Sequence, residues 1–412
     1  MKKLIYCLYL LLGMSAVANA QTQSYTYELA RSFSQSLFEN NGVPFMQPVV
    51  KVINATSNSR FYNQAYVPKK VSKPYYRISV NGMYGMVNPA DKTYEPYMPR
   101  EQFSFEDIGR YGQIDFANQT FNVTDTAGLI FYFFKNLMYD GIEGANAGAI
   151  QVPREASTAL GDKESYFDLP TENLEMLAEN HPAYQFLPED MRDSLLAVLE
   201  QFPDRFTLYA GNNIDAVFAA VPQIEIGSLY GTELLVRFIP PLDYGETIGK
   251  FAFWGIGLKH SLSQYFKDRS FDAAIQLVYQ GTSLENEIGV TKAELTSNAT
   301  FLNGSLQFSK EFGEHIVAYT GLSYETVSIT SEYVYKLPVE VQWQLGLLEQ
   351  GKQEPTPGFP GDQNPQKSEL TLDDSNLKYK IGVMGRWNNL GLALDYNFSN
   401  FDILSFGLEY SF

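Results

Sequence analysis

Cysteine is almost absent from the sequence: the one cysteine, Cys7, lies within the first twenty residues. These residues have the pattern of a secretory signal peptide, with Lys2 and Lys3 before an apolar run from Leu4 to Leu12 and a small-x-small site at Ala18–Ala20. The apolar run is too short for a membrane anchor, which takes roughly 20 residues. We therefore expect cleavage near Ala20 and a mature chain without cysteine, which excludes disulfides and thiol catalysis.

Long apolar runs are lacking as well, since the longest candidate, Ala127–Phe134, is broken by Lys135 and Asn136. This excludes helical membrane spans, but barrel strands need only about 9–11 residues of alternating character. Aromatic residues make up 15% of the chain, with 28 Tyr and 29 Phe, as expected for the aromatic girdles of a barrel. The net charge of −17, which the loss of Lys2 and Lys3 lowers by two more, argues against a nucleic-acid partner.

The C-terminal residues carry a pattern of polar-x-Gly-x-x-aromatic-x-aromatic, formed by Ser405, Gly407, Tyr410 and Phe412. This resembles the C-terminal β-signal recognised by the barrel assembly machinery of Gram-negative outer membranes. Alternation places Phe406, Leu408, Tyr410 and Phe412 on one face and Ser405, Gly407, Glu409 and Ser411 on the other. One face suits lipid and the other a polar lumen. The alternative is the last strand of a secreted β-sandwich, which would alternate in the same way.

The order of the connections favours the barrel. With Phe412 at the periplasmic end, short turns such as Asn388-Asn389 all fall on the inside, and nearly all long loops, such as Glu349–Asp374, fall outside. This pattern predicts about nine strands between Ile214 and Phe412. Tyr75–Met86 is another, and further strands are expected in 100–160. The predicted fold is therefore all-β: an antiparallel transmembrane β-barrel of about 10–14 strands, wide enough for a lumen.

The N-terminal half predicts different structure. Tyr25–Phe38 has helical spacing, followed by Asn- and Pro-rich turns, so residues 21–74 are expected to form a plug or a periplasmic segment. The barrel then covers 75–412. A helical region at about Thr171–Gln201, with a start at Pro188, predicts an extracellular insertion near 165–205.

Charged residues on the polar face of the predicted strands are the candidates for function. The alternation predicts that eight of them face the lumen: Glu225, Glu233, Arg237, Lys259, Lys380, Arg386, Asp395 and Glu409. They could form a polar path or constriction that selects solutes by charge. The alternative, which we favour, is that opposite charges pair across strands and hold the wall together.

No catalytic or metal-binding pattern is present. The sequence contains no HExxH, no GxSxG and no His/Asp/Glu cluster, so neither an enzyme nor a cofactor nor a metal is expected. His260 falls on the apolar face with Trp254 and Leu258, which requires either a bulge that shifts the register or a position near the membrane interface. A catalytic pair of His260 with Ser261 or Ser263 is disfavoured.

A family resemblance lies in the region from Pro222 to Gln280. The phrases Gly231–Pro240 (GTELLVRFIP) and Gly255–Ser261 (GIGLKHS) resemble an uncharacterised family of outer-membrane β-barrels of Bacteroidota-type bacteria, over roughly the C-terminal half. The N-terminal plug and medium-sized barrel are also similar to the long-chain fatty-acid transporters, whose plug contains a tripeptide like Asn88-Pro89-Ala90. These resemblances imply a location in the outer membrane more than an activity.

Three classes of function follow. The first is a passive channel or transporter for a small solute, hydrophobic or polar. The second is a non-conducting barrel that serves as scaffold or subunit of a cell-surface complex. The third, a barrel enzyme, is disfavoured. The expected partners are outer-membrane lipid, the barrel assembly machinery and, for a channel, a small-molecule solute.

Overall fold

Alternating apolar and polar residues form long strands over most of the C-terminal half of the chain. The computed structural model describes residues 2–412 except 70, 72, 116–119, 185–188, 209, 244, 246–248, 268–269, 289–292, 336, 338, 345 and 363–365. Of these it describes the side chains from Glu28 onward, except 38, 114–115, 120–122, 190–191, 287–288, 293, 333, 335, 341, 344, 366 and 368. The strands, in chain order, are β1 (Tyr75–Met86), β2 (Thr93–Tyr94), β3 (Gly112–Asp115), β4 (Thr120–Val123), β5 (Ala156–Ser157), β6 (Ser165–Asp168), β7 (Arg205–Leu208), β8 (Ala216–Leu229), β9 (Thr232–Asp243), β10 (Lys250–Ser261), β11 (Asp272–Ile288), β12 (Ala293–Phe312), β13 (Ile316–Tyr335), β14 (Gln366–Trp387), β15 (Leu390–Phe398) and β16 (Ile403–Ser411).

The helices of the described chain are α1 (Lys2–Ser57), α2 (Phe105–Ile108), α3 (Thr126–Ile142), α4 (Thr171–Asn180), α5 (Glu189–Glu200) and α6 (Val339–Gln344). Short 3-10 turns occur at Pro89–Asp91 and Leu262–Tyr265. Within the described residues, no helix has a stretch long and apolar enough to cross a bilayer.

β1 and β8–β16 close into an antiparallel barrel of ten strands. Each strand pairs with its neighbour in sequence, and β1 closes the ring because it pairs with both β16 and β8. Ile78, for example, lies opposite Tyr410 on one side and Ile224 on the other. The predicted barrel, its strand count and the nine strands of its C-terminal half are confirmed.

The two ends of the barrel differ. At one end, here called the short-turn end, tight turns such as Tyr230-Gly231 and Asn388-Asn389 join the strands, and Phe412 bonds the backbone of Tyr76. At the other end, called the long-loop end, the connections include 336–365 and the whole of 87–215. The long 336–365 loop begins and ends earlier than the predicted Glu349–Asp374, because β14 continues the barrel wall back to Gln366.

The expectation of further barrel strands in 100–160 was wrong. The strands of this region, β3, β4 and β5, have two to four residues and belong to two-stranded pairs outside the barrel, as do the equally short flanking strands β2, β6 and β7. They are too short to cross a bilayer, which takes about 9–11 residues. The apolar residues of α3 recur at helical spacing instead, so the segment folds as a helix.

Residues 87–215 form a separate body that we call the outer domain, built on α2–α5 and the short strands β2–β7 and larger than the predicted insertion near 165–205. Its core also takes in the first described turns of α1, through Leu29, Ala30, Phe33 and Leu37. Phe33 is fully buried, and its ring meets those of Phe134, Phe202 and Phe206 edge to face. The N-terminal helix is therefore part of the outer domain core.

One titratable group of this core is buried as a neutral ring. His181 packs against the rings of Phe103 and Phe133, and its Nδ1 accepts a hydrogen bond from the Ala183 N–H. Burial lowers the pKa of His181 from 6.5 to about 4, although Asp140 acts in the opposite direction. The charged form is therefore disfavoured in the folded domain.

We expect the outer domain to lose stability as the pH falls from about 6.5 towards 4. Above 6.5 the ring is neutral in both states, so this contribution is fully present. Below 6.5 the unfolded ring takes up a proton first, and each pH unit costs roughly 1.4 kcal/mol until the folded ring also titrates. The measurement is hydrogen exchange of α3 across this range, with His181→Phe as the comparison. An identical pH profile in both proteins would contradict the assignment.

The outward side chains of the barrel form an apolar band between two aromatic belts. The belt at the short-turn end contains Tyr76, Phe271, Phe312, Trp387, Tyr410 and Phe412. The belt at the long-loop end contains Tyr84, Phe218, Phe238, Trp254, Tyr279, Tyr324, Phe398 and Phe406. Exposed aliphatic residues lie between them, such as Ile78, Val80, Ile256, Leu277, Leu322, Ile381, Leu392 and Leu408.

Candidate functional site: the occupied barrel lumen

The barrel lumen holds a segment of the N-terminal chain, residues 46–67, here called the lumen segment. The prediction that turns follow Phe38 was wrong, because α1 continues through Pro44 and Pro48 to Ser57. Proline normally breaks a helix at a cost of about 3 kcal/mol. Here the apolar positions keep a helical period after the prolines, and the barrel wall covers them, so tertiary packing overrides the local preference.

Two apolar clusters seat this helix against opposite parts of the wall. Val50 packs with Phe301 and Val327 of β12 and β13. Val52 and Ala55 pack in a second cluster, with residues that include Met83, Phe253 and Ile403. The helix is thus held against the inner face of the wall from several sides.

Two cationic side chains of the barrel wall donate hydrogen bonds to the C-terminal end of α1. Arg237 donates to the carbonyl oxygens of Ser57 and Ser59, at 3.0 and 2.7 Å. Lys378 donates to the carbonyl oxygen of Ala55 at 3.0 Å. The last carbonyls of a helix lack partners within it and carry partial negative charge, so buried cations stabilise this end. The wall binds the lumen segment through its backbone.

A buried ion pair also links the lumen segment to the wall. Arg60 Nη1 lies 2.6 Å from Asp395 Oδ2, and the two side chains are 2% and 0% exposed. The Tyr319 hydroxyl donates to Asp395 and accepts from Arg60, both at 2.8 Å. Gly407 leaves the space for the guanidinium, because a Cβ at this position would lie 2.1 Å from Arg60 Nη2. This gives a glycine of the C-terminal pattern a local packing role.

A second charged cluster lies nearer the short-turn end. Arg77 pairs with Glu225 at 2.7 Å and also with Glu233. Lys259 pairs with Glu233 at 2.6 Å, and the Tyr75 hydroxyl donates to the same carboxylate at 2.6 Å. These pairs join neighbouring strands β1, β8, β9 and β10. They hold the wall together around the extended part of the chain that leads to β1.

A third group connects β13 and β14. Lys378 pairs with Glu325 at 2.9 Å, and both side chains are almost fully buried. Lys380 places its Nζ 4.1 Å from the ring centre of Tyr62, a cation–π contact with the lumen segment. The charged side chains of this part of the wall therefore interact both with the neighbouring strand and with the lumen segment.

The structure places seven of the eight predicted lumen charges in the buried interior: Glu225, Glu233, Arg237, Lys259, Lys380, Asp395 and Glu409. Glu409 accepts a hydrogen bond from Asn63 at 2.6 Å. The eighth, Arg386, is half-exposed at the short-turn end, where it pairs with Glu311 at 2.8 Å. The contacts are those of charges that pair across strands, and several also hold the lumen segment.

Sequence reasoning missed Arg60, Arg77, Tyr319, Glu325 and Lys378. Four of them lie on predicted strands, where the same alternation gave a signal, since each falls on the face opposite the apolar residues. Arg60 lies in the predicted plug segment, and no local pattern marks it. Its role follows only from the placement of the segment in the bore.

The C-terminal pattern divides between the two faces as alternation requires. Ser405 and Gly407 are buried, and Ser405 accepts a hydrogen bond from Asn397 at 3.1 Å. Tyr410 and Phe412 are exposed on the outside, and the Phe412 ring stacks on Tyr76.

His260 lies on the outer face at the end of β10 nearest the short-turn end. The register of β10 with β9 is regular from Phe253 to His260, so no bulge turns the ring. Its Nδ1 lies 2.9 Å from the Thr232 hydroxyl and its Nε2 2.9 Å from the Tyr265 hydroxyl. Ser261 instead faces the interior, so the two side chains do not form a catalytic pair.

The tripeptide Asn88-Pro89-Ala90 lies outside the bore. It begins the 3-10 turn that follows β1 at the long-loop end, where the Asn88 side chain accepts a hydrogen bond from the Ala90 N–H at 3.0 Å. This position differs from that of a plug tripeptide.

The chain thus forms a ten-stranded barrel that holds its own N-terminal segment in the lumen and carries the outer domain. The chain matches the model of DUF6588, a family of unknown function, over residues 1–412. The chain belongs to the DUF6588 family. The match covers the whole chain, whereas the resemblance of the sequence motifs extended over only the C-terminal half.

Other comparisons with this DUF6588 protein add little. The attachment invasion locus protein of Yersinia pestis, Ail, is similar at 10% identity with a TM-score of 0.21, over 44% of this chain and 93% of that one. A likeness at this level carries no functional argument. No curated protein matches the sequence.

Proposed function

We propose that the protein is an outer-membrane anchor: a barrel closed by its own lumen segment that holds the outer domain at the cell surface. The observation that carries this proposal is the shared helix α1. Its first described turns belong to the core of the outer domain, and its last turns lie in the bore, bonded to Arg237 and Lys378. Emptying the bore would therefore also break the outer domain core.

The apolar band supports a position in a membrane. A closed barrel satisfies every strand hydrogen bond internally, and an outward band with aromatic belts matches the hydrocarbon core and its two interfaces. The pattern of Ser405, Gly407, Tyr410 and Phe412 supports insertion by the barrel assembly machinery. Short periplasmic turns and longer outer loops, which are usual in such barrels, favour a periplasmic position for the short-turn end. Export by a cleaved signal peptide and an origin in Bacteroidota remain predictions.

A gated passage for a small solute is the second candidate. One observation favours it: the inward side chains of β11 and β12 include an uncharged polar strip of Gln276, Gln280, Asn303, Ser305, Gln307 and Ser309. In the described residues, the amide oxygens of Gln280, Asn303 and Gln307 have no hydrogen-bond partner. Buried oxygens of this kind suit water or a polar solute if the lumen segment moves. Neither candidate requires an enzymatic reaction or a cofactor.

Conductance of the full chain in a planar lipid bilayer tests the proposal. We expect no current steps from the wild-type protein. The variant Lys378→Met separates the candidates, because it removes the hydrogen bonds of Lys378 to the end of α1. Lys367→Met, at the exposed long-loop end, is the control. An anchor stays closed in all three proteins, whereas a gated passage opens in Lys378→Met alone. Steady current from the wild type would contradict the closed lumen.

A further inference from the structure

One lysine faces outward within the apolar band. Lys310 of β12 lies between Phe312 of the belt at the short-turn end and Leu306, and it is exposed beside the buried Ser309. In the described barrel strands, it is the one charged side chain that points outward between the two belts. A lysine facing the centre of a bilayer is costly, and the cost falls only near the interface.

The side chain of Lys310 extends towards the interface. Its Nζ lies 5.6 Å from the ring centre of Phe312, which is nearer the short-turn end. Long basic side chains reach polar surroundings in this way while their stems stay in apolar ones. Among the described residues, no carboxylate forms an ion pair with Lys310. Its charge is therefore available to an anion at the edge of the membrane.

A groove runs beside this lysine on the outer wall. On β13 the outward residues Ala318 and Thr320 are small, and the outward side chains on either side of them are larger. These are Lys310 and Phe308 on β12, and Val383 and Ile381 on β14. The groove has a volume of about 460 Å³, and its further walls include Phe271, Phe312 and Tyr379. This is within the usual range for a small-molecule site, roughly 300–1,000 Å³.

The polar atom on the floor of the groove is already satisfied. The Thr320 hydroxyl donates to the carbonyl oxygen of Lys380 at 2.6 Å. The floor thus presents methyl groups, and the positive charge lies beside it at the level of Ala318. An apolar groove with a cation at the interface matches an acyl chain joined to an anionic headgroup.

We propose that this groove binds one anionic phospholipid of the periplasmic leaflet, with an acyl chain over Ala318 and Thr320 and the phosphate at Lys310. This inference rests on the proposed location in the outer membrane. A lipid bound in this groove should stay with the protein through purification, whereas the lipids that exchange freely around the barrel should be lost.

The test is native mass spectrometry of the full chain after exchange into nanodiscs that contain a neutral phospholipid and a minor fraction of phosphatidylglycerol, followed by release in mild detergent. We expect one phosphatidylglycerol to be retained by the wild type. Lys310→Gln should weaken retention roughly fivefold, the effect of one basic residue at a membrane surface. Ala318→Leu, which fills the groove but keeps the charge, should reduce it as well.

Two matched variants provide the controls. Ala220→Leu changes an exposed outward alanine on β8, remote from the groove, and Lys367→Gln changes an exposed lysine at the long-loop end. Both should retain the lipid like the wild type. Equal retention of neutral and anionic lipid would overturn the inference. A wild-type dimer that Ala318→Leu converts to a monomer would also overturn it, because the groove would then bind a second copy of the chain. A folded barrel that retains no lipid overturns the lipid site but not the proposed function. A protein that is soluble without detergent overturns both.

Discussion

Arg60→Met is expected to destabilise the barrel by about 3–5 kcal/mol. The substitution removes the guanidinium from a buried pair and leaves the Asp395 carboxylate, which is 0% exposed, without its ion-pair partner. It also removes the hydrogen bond that the Tyr319 hydroxyl accepts. Guanidinium unfolding in detergent micelles, followed by the fluorescence of Trp254 and Trp387 in the barrel wall, measures the change.

A double-mutant cycle distinguishes the buried pair from a general effect. Arg60→Met with Asp395→Leu removes both charges, so it should recover most of the stability lost by the single substitution. Arg110→Met is the matched control, because Arg110 forms an exposed ion pair in the outer domain and should cost at most about 1 kcal/mol. If the two single effects simply add in the double variant, the pair does not hold the lumen segment.

Phe33→Ala is expected to destabilise the outer domain by about 3–5 kcal/mol while the barrel stays folded. The ring of Phe33 is fully buried, and its centre lies 4.7 Å from that of Phe206 and 5.4 Å from that of Phe134. Its loss leaves a cavity where α1 enters the domain core. Hydrogen exchange of α3 and α5 should accelerate by about two to three and a half orders of magnitude, since each 1.4 kcal/mol is a factor of ten.

Phe105→Ala provides the comparison for Phe33→Ala. Phe105 belongs to the same domain, but its side chain is 59% exposed, so its truncation should change exchange little. The barrel should keep its shift in gel mobility on boiling in both variants, because the lumen contacts of residues 50–60 remain. Unchanged exchange in Phe33→Ala would show that α1 is not part of the outer domain core.

The barrel was predictable because each strand carries its own evidence. Alternation along Ile403–Ser411 or Leu390–Phe398 assigns every side chain to a face without reference to the rest of the chain. The sorting of short and long connections then orders the strands. The same parity also marked Glu225, Lys259 and Asp395 as inward residues before any contact was known.

The lumen segment and its contacts were not predictable in the same way. Pro44 and Pro48 argue locally for turns, and only the surrounding wall makes a continuous helix favourable there. The partner of Asp395 is Arg60, which lies 335 residues away. Such a contact depends on the threading of the N-terminal chain through a closed sheet, and no sequence spacing encodes it.

The outer domain was predictable only in part. The sequence indicated helices at about Thr171–Gln201, and the structure has α4 and α5 there. The prediction of barrel strands in 100–160 was wrong because the strands there, β3–β5, are too short to cross a bilayer, and because the apolar residues of α3 recur at helical spacing. The packing of α3 against α1 in one core could not be predicted from that spacing.

The most direct test of the account is the accessibility of two engineered cysteines, one on each side of the membrane. In a Cys7→Ser background, Glu39→Cys places a thiol on an exposed part of α1 at the long-loop end, and Lys69→Cys places one on the exposed chain near the short-turn end. On intact Gram-negative cells, a membrane-impermeant maleimide should label position 39 and leave position 69 unlabelled until the outer membrane is opened. Equal labelling of both positions on intact cells, or the reverse pattern, would contradict a barrel whose N-terminal chain crosses the membrane through its own lumen.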